Sequence, residues 1–345
     1  MPSPSIFVAI AAYTDPELPR TLRDALEQAR WPDRLRFGIC WQEDPARPVS
    51  LDEFRADSRF RILDRTILAS EGGPWARNLA QSLWRGEPYT LQVDSHMKFE
   101  PEWDGKLVEM LEALPSPKPL LSMNAPLFWY ENGVLQRRFD MGVPTTRVGS
   151  WEAAGGWAPW FDFGPPNRQS PGRTRFVNGN FVFTRGDWNV EVPQDPDHYY
   201  WGEEFSVTVR SFTWGYDLFL PSEPLVWHLM HPTAPRRHWE KGEDVVRRRN
   251  AIAFERLRRL VYADEGHSLG PYGLGRARTL RDYEVYAGFD LRGKRAHPDV
   301  FTGANPDPVT IHGDEDWDRC VAWEEAKRRG LAPSPGSEPK SPTTW

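Results

Sequence analysis

Cysteine is scarce: Cys40 and Cys320 are the only two in 345 residues. They are too few for a disulfide framework, and both are expected as reduced thiols. No apolar run approaches the ~18 residues that a membrane span requires. No basic region precedes the first apolar stretch, so no signal peptide is expected. Positive charge is not in excess either. With 43 Lys+Arg against 49 Asp+Glu the formal net charge is -6, which argues against a general nucleic-acid binder. No internal repeat is visible. The expected class is a soluble globular protein of the cytoplasm, with no nucleic-acid partner and no membrane span.

Two residue types are abundant. The 33 prolines are roughly twice the usual share of about 5%, which points to long loops. The 17 tryptophans are unusual in so polar a chain. The length allows two average domains or one large α/β domain with insertions.

Strand and helix signals alternate through the first hundred residues. Ile6 to Ala12 reads as a buried strand. Asp15 reads as the N-cap of a helix with Pro16 at its first position, and Leu18, Leu22, Ala25, Leu26 and Ala29 form its apolar face. Leu35 to Trp41 and Phe60 to Leu68 read as strands, Pro74 to Leu83 as a helix, and Tyr89 to Val93 as a strand ending at Asp94-Ser95-His96. Trp103 to Leu114 is helical and Leu120 to Met123 extended. Such alternation predicts a mostly parallel sheet with helices on both faces. Ligands of such sheets bind beyond the carboxyl ends of the strands, which puts Tyr13, Thr14 and Asp15 on the same rim as Asp94 to His96.

From Phe128 to Arg175 the pattern dissolves into glycine, proline and aromatics, including Trp151, Trp157, Trp160 and Phe161. A loop this long and this aromatic is expected to be functional rather than disordered. Arg175 to Thr184 alternates like a strand, Trp201 to Trp214 reads as a helix, and further strand lies within Asp217 to Val226. A long helix around Val246 to Val261 carries many arginines, read as a solvated face. The Pro/Ser-rich segment at 331–345 reads as a disordered tail.

Asp94-Ser95-His96 offers a carboxylate and an imidazole at a strand end. That donor pair suits Mn²⁺ better than Mg²⁺; the plainer reading is a turn with His96 on the surface. Asp195-Pro196-Asp197 and Asp314 to Asp318 read as exposed turns. Val226-Trp227-His228-Leu229-Met230-His231 offers a third ligand in His228 or His231. In Tyr199-Tyr200-Trp201-Gly202-Glu203-Glu204-Phe205, Glu203 suits helix capping, while Glu204 suits hydrogen bonding to a sugar. Arg77, on the helix after Gly72-Gly73-Pro74, is within reach of a phosphate or a uracil carbonyl.

Taken in order, Glu71 to Arg77, Gln92 to His96, Trp201 to Glu204 and Val226 to His228 resemble motifs of retaining glycosyltransferases of the GT-A fold. The resemblance is to the hydroxyproline-directed N-acetylglucosaminyltransferase family, related to the polypeptide N-acetylgalactosaminyltransferases, and covers roughly Ile6 to His231. It implies an α/β fold with a Rossmann-like mixed sheet flanked by helices. The implied catalytic domain spans 1–265, with a donor half to about 125 and an acceptor half from about 126. Residues 266–330 would form a C-terminal extension packed on it.

The resemblance further implies a metal site of Asp94, His96 and His228, with His231 as fallback, holding Mn²⁺ or another divalent cation. It implies a UDP-sugar donor bound by Tyr13, Thr14, Arg77, Asp94, Ser95 and Trp201, with Glu204, Glu203 and Arg77 at the catalytic centre. Trp157 and Trp160 would face the acceptor, a hydroxyl on a polypeptide, glycan or small molecule. The implied reaction is metal-dependent transfer of GlcNAc with retention. The alternatives are an inverting enzyme of the same fold with Glu203 or Glu204 as base, and a noncatalytic UDP-sugar- or carbohydrate-binding module.

Overall fold

The computed structural model describes residues 4–137, 142–151, 156, 158–166, 172–230, 242–263, 266–303, 311 and 313–332. The chain begins with the alternation expected of it: β1 (Ile6–Tyr13), α1 (Leu18–Glu27), β2 (Leu35–Glu43), the short α2 (Asp52–Arg55), β3 (Phe60–Thr66), α3 (Gly73–Gln81) and β4 (Tyr89–Val93). Residues Leu18, Leu22 and Ala25 of α1 are buried, and each buried leucine is worth about 1.5–3 kcal/mol of transfer free energy. β5 (Met97–Phe99), α4 (Trp103–Glu112) and β6 (Pro119–Ser122) follow.

The region expected to be irregular contains paired strands. β7 (Leu127–Glu131) and β8 (Val134–Arg137) form one hairpin, and β9 (Pro144–Ser150) pairs antiparallel with β10 (Trp160–Pro166). Prolines, glycines and two register shifts in the second pair mask the period-2 pattern that would have marked it. β11 (Gly172–Arg173) then leads to β12 (Phe181–Arg185). The strand read from Arg175 thus starts only at Phe181. Asn178 and Asn180 instead engage Thr146 and Asn124 through their side chains, a competition with the ladder to which asparagine is prone.

The short α5 (Trp188–Glu191) precedes α6 (Glu203–Thr213), β13 (Asp217–Leu220), β14 (Val226–Leu229) and the arginine-rich α7 (Glu243–Val261). Beyond these lie α8 (Leu280–Ala287), β15 (Phe289–Asp290), β16 (Arg295–Ala296), α9 (Pro298–Thr302), α10 (Asp314–Arg319), β17 (Val321–Ala322) and α11 (Trp323–Arg328).

Eight strands form the main sheet in the order β11-β13-β6-β12-β4-β1-β2-β3. β1 to β4 are mutually parallel where they pair, whereas β12 runs antiparallel to both β4 and β6. The sheet is therefore mixed, a doubly covered α/β arrangement. A second sheet, ordered β5-β14-β7-β8, stands beyond the end of β4.

Two large cores support this frame. One lies under the main sheet, with Ile10, Leu22, Ile39, Leu91 and Val93 among its members. The other is chiefly aromatic and joins Trp151, Phe161, Phe176, Phe205 and Phe212 to Tyr283, Tyr286, Phe289, Phe301 and Trp323. Trp151 and Phe161 are thus interior packing rather than an open wall, as the large apolar area of aromatic rings favours. Leu331 and Ala332, read as the start of a disordered tail, pack on this second core; residues 333–345 lie outside the described residues. Both cysteines are buried thiols. Among the described residues no helix is long and apolar enough to cross a membrane.

Candidate functional site

β4 is buried along its whole length and delivers Asp94, Ser95 and His96 at its carboxyl end. The chain then reverses into β5, which pairs antiparallel with β14 so that His228 stands opposite Met97. The backbone N–H of Leu229 donates to the His96 carbonyl at 3.0 Å. Sheet register thereby brings together residues separated by 132 positions. His96 Nε2 and His228 Nε2 are 3.0 Å apart, and His228 Nε2 lies 3.4 Å from Asp94 Oδ2. One ligand atom from each of Asp94, His96 and His228 lies within 4.8 Å of the others. Two imidazoles and a carboxylate form a donor set suited to a divalent transition-metal cation. His231, the fallback ligand, and Trp157 lie outside the described residues.

The rim of β1 supplies a carboxylate, Asp15, at the place the sequence reading gave it but in another role. Asp15 is not the N-cap of α1; that position belongs to Glu17, with Pro19 near the first turn. Asp15 Oδ1 accepts the Glu17 N–H at 2.9 Å. Its Oδ2 accepts the Ser95 hydroxyl at 2.5 Å and lies 2.6 Å from His96 Nδ1. Burial favours the neutral carboxyl, but hydrogen bonding and charge from His96, with help from Ser95 and the Glu17 backbone, outweigh it and hold Asp15 below its ordinary range. Thr14, just before it, sits at φ 49°. That left-handed conformation is unusual for a β-branched residue and stores about 1–3 kcal/mol, a cost that clusters at functional sites. Its Oγ1 is buried without a hydrogen-bond partner. Tyr13 ends β1 beside it, half-buried.

Arg77, on α3, is mostly enclosed at 13% side-chain exposure and bridges two carboxylates. Its guanidinium donates to Asp94 Oδ1 at 3.0 Å and to Glu203 Oε1 at 2.6 Å. Burial works against its charge, yet Glu203 and Asp94 hold it firmly protonated. Asp94 is in turn well below the usual carboxylate range: burial is overcome by the hydrogen bond with His228 and the charge of Arg77. Arg77 therefore links Asp94, at the end of β4, to Glu203 at the start of α6.

Gly202 caps α6 at φ 81°, and a Cβ there would fall 2.1 Å from Leu257. Glycine is required both for the turn and for that approach. Glu203 begins the helix but makes no capping hydrogen bond; it pairs with Arg77, and its Oε2 is buried without a partner. Burial raises its carboxyl despite Arg77. Glu204 accepts the Gly179 N–H at 2.7 Å. Enclosure, with the charge of Glu203 beside it, pushes Glu204 up to about 7 even though the Gly179 hydrogen bond pulls the other way. Gly179 also lets the guanidinium lie against the backbone, since a Cβ would meet Arg77 Nη1 at 2.5 Å. Sequence reasoning set Asp15 on this rim but missed its contact with His96, and it missed Gly179 altogether. The polar break Asn178-Gly179-Asn180 within an apolar alternation was the available signal for the second.

The remaining expected residues are placed differently. Trp201 is half-buried, edge-on to Tyr200 and packed at the margin of the aromatic core. Trp160 opens β10 with its ring over Gly149, and no contact among the described residues links it to the metal-site residues. Trp227 bonds Glu100 through Nε1 at 2.6 Å. Asp195, read as an exposed turn, is 3% exposed and paired with Arg256 at 2.7 Å. The arginine of α7 nearest the body thus serves an internal ion pair. Asp314 to Asp316 open the short helix α10 rather than a turn.

Comparison with known proteins gives the arrangement a family. A solved structure of GalNAc-T7 with UDP, GalNAc and Mn²⁺ superposes with a TM-score of 0.54 at 14% identity, over 81% of this chain and 54% of that one. The chain thus spans about half the length of that protein. Staphylococcus aureus TarS (residues 1–349) aligns at 13% identity over 77% of this chain and 75% of that one, with a TM-score of 0.41. No protein of curated function matches the sequence. A family model described as Glycosyltransferase (GlcNAc) matches residues 5–58 and 43–292, so the chain belongs to that family and is a glycosyltransferase of the GT-A fold.

Proposed function

We propose that this glycosyltransferase is a metal-dependent, retaining enzyme that transfers GlcNAc from UDP-GlcNAc to a hydroxyl acceptor on a polypeptide, a glycan or a small molecule. The observation that carries the reading is the convergence of Asp94, His96 and His228 at the carboxyl ends of the strands, where ligands of α/β sheets bind. The same GT-A fold holds UDP, GalNAc and Mn²⁺ in GalNAc-T7.

Asp94, His96 and His228 would hold the cation. When bound, it supplies charge neutralisation to the diphosphate as the bond to the anomeric carbon breaks. Asp94 offers Oδ2 because Arg77 occupies Oδ1, and His96 offers Nε2 because Asp15 occupies Nδ1. Tyr13 and the strained Thr14 border the nucleotide on the β1 rim, and Glu204 lies toward donor sugar and acceptor. Trp157 and Trp160 are proposed to border the acceptor. In the retaining reaction the acceptor oxygen bonds to the anomeric carbon on the face from which the diphosphate leaves. The acceptor's proton passes to a leaving phosphate oxygen, so no side chain is needed as base.

One observation favours a second reading. Glu204, pushed up to about 7, has the acidity suited to a general base near neutral pH, which an inverting enzyme requires. NMR of the product anomer separates the two: an α-linked product from the α-linked donor supports retention, and a β-linked product overturns it. For the metal site, calorimetry with UDP and Mn²⁺ should show binding that Asp94→Asn and His96→Ala each abolish in folded protein. Full Mn²⁺-dependent affinity in either variant would sink the assignment. A donor-hydrolysis screen over UDP-sugars with Mn²⁺ tests the sugar, with UDP-GlcNAc expected to turn over fastest.

A further inference from the structure

Asp15 lies in the turn between β1 and α1, which contributes no ligand to the proposed metal site, yet its carboxylate is wholly engaged there. It is 2% exposed, and both oxygens are occupied: Oδ1 by the Glu17 N–H, Oδ2 by the Ser95 hydroxyl and His96 Nδ1. The left-handed turn at Thr14 directs the chain so that Asp15 lies beneath His96, and the cost of that turn needs a compensating contact. A carboxylate only accepts hydrogen bonds. The donor in the 2.6 Å contact is therefore His96 Nδ1, and Nε2 lies 3.0 Å from His228 Nε2, on the side of the ring away from Asp15.

We propose that Asp15 is a positioning residue of the metal centre: it locks the His96 ring in one orientation and in the tautomer protonated at Nδ1, leaving Nε2 as the ligand atom. The inference rests on the reading of Asp94, His96 and His228 as metal ligands. Hydrogen bonds of this kind behind a ligating histidine set its tautomer and raise its basicity, and losing one typically costs about 10–100-fold in metal affinity. Arg77 does the corresponding service for Asp94, since it occupies Oδ1 and leaves Oδ2 turned toward His228. Asp94 and His96 then each present a single atom.

The test uses the full chain with Asp15→Ala and Asp15→Asn, and His96→Ala for reference. Long-range ¹H–¹⁵N NMR of histidine-labelled protein without added metal reads the tautomer of His96, assigned by its disappearance in His96→Ala. Mn²⁺ affinity is measured separately by electron paramagnetic resonance. Wild type should show His96 protonated at Nδ1. Asp15→Ala should move the proton wholly or partly to Nε2 and weaken Mn²⁺ binding about 10–100-fold, while Asp15→Asn, which keeps an acceptor oxygen, should fall between. A residue that served packing alone would not shift the tautomer. An Nδ1-protonated His96 in Asp15→Ala, or Mn²⁺ affinity within twofold of wild type, overturns the proposal. If Asp15→Ala does not fold, Asp15→Asn decides: unchanged Mn²⁺ affinity in the folded variant overturns it. Unaltered Mn²⁺ binding by His96→Ala would instead defeat the ligand assignment, and the inference with it.

Discussion

The core beneath the main sheet and the aromatic core behind α6 are made from different materials. The first draws on Ile6, Val8, Ile10, Leu18, Leu22, Ile39 and Leu91, residues that recur through successive strands and helices. The second gathers Trp151, Phe161, Phe176, Phe205, Tyr283, Phe289 and Trp323 from segments far apart in the chain. In the first, β1 meets β2 and β2 meets β3 across one short helical connection each. In the second, Phe161 stacks on Phe176 at 3.9 Å, and Phe176 meets Phe289 at 5.8 Å only after more than a hundred intervening residues. Local alternation builds the rim of β1 and β4 that carries Asp15, Asp94 and His96; distant aromatic packing fixes the base of α6, which carries Glu203 and Glu204. Arg77 joins the two, with one hand on Asp94 and the other on Glu203.

That joint is where the contrast breaks most easily. Arg77→Ala would leave Asp94 and Glu203 as enclosed carboxylates without their shared cation. Removing one partner of such a pair costs about 3–5 kcal/mol, and Mn²⁺ binding should fall as well. Urea unfolding and Mn²⁺ titration check both; a loss below 1 kcal/mol with intact Mn²⁺ affinity would mean that the two regions are not coupled through Arg77.

Phe176→Ala should cost a similar ~3–5 kcal/mol, but confined to the second core. Hydrogen exchange should accelerate in α6 and α8 while amides of β1, β2 and β4 keep their relative protection. Uniform acceleration would erase the distinction between the cores. Ile39→Val, in the first core, should cost only about 0.5–1.5 kcal/mol and leave Mn²⁺ affinity unchanged by the same titration.

A further effect expected is a pH slope. Glu204 is pushed up from 4.5 to about 7 in the folded protein. Between those values the folded state holds a proton that the unfolded chain has released. Its contribution to stability is therefore complete at low pH and is lost as the pH rises toward 7. Denaturant midpoints across this range should decline more steeply for wild type than for Glu204→Gln. Parallel slopes would show that Glu204 ionises normally, which would also weaken the case for it as a base.

The legible parts of the molecule were those with short-range periodicity. β1 to β4, α1 and α3 were readable because apolar spacing repeats within each element, and Asp94 and His96 stood out because they follow the end of a strand read as buried. His228 was legible as a candidate at a second strand end. The hairpins β7–β8 and β9–β10 were not, since their prolines, glycines and register shifts interrupt alternation and their strands are held by partners outside the segment. Asp15 was misread for a related reason. A carboxylate two residues after a strand and just before a helix has a local role available as N-cap, and nothing nearby in sequence shows that His96 competes for it.

The sequence by itself determined the α/β alternation, the rim on which a ligand would sit and the residue types gathered there, because hydrophobic burial and strand ends act over a few residues at a time. Tertiary structure alone decided that His228 meets His96, that Asp15 stands behind it, that Arg77 turns inward to Asp94 and Glu203, and that the aromatic loop residues Trp151 and Phe161 are core. Those outcomes depend on sheet register and on contacts between distant segments, where a shift of one residue turns a side chain to the opposite face.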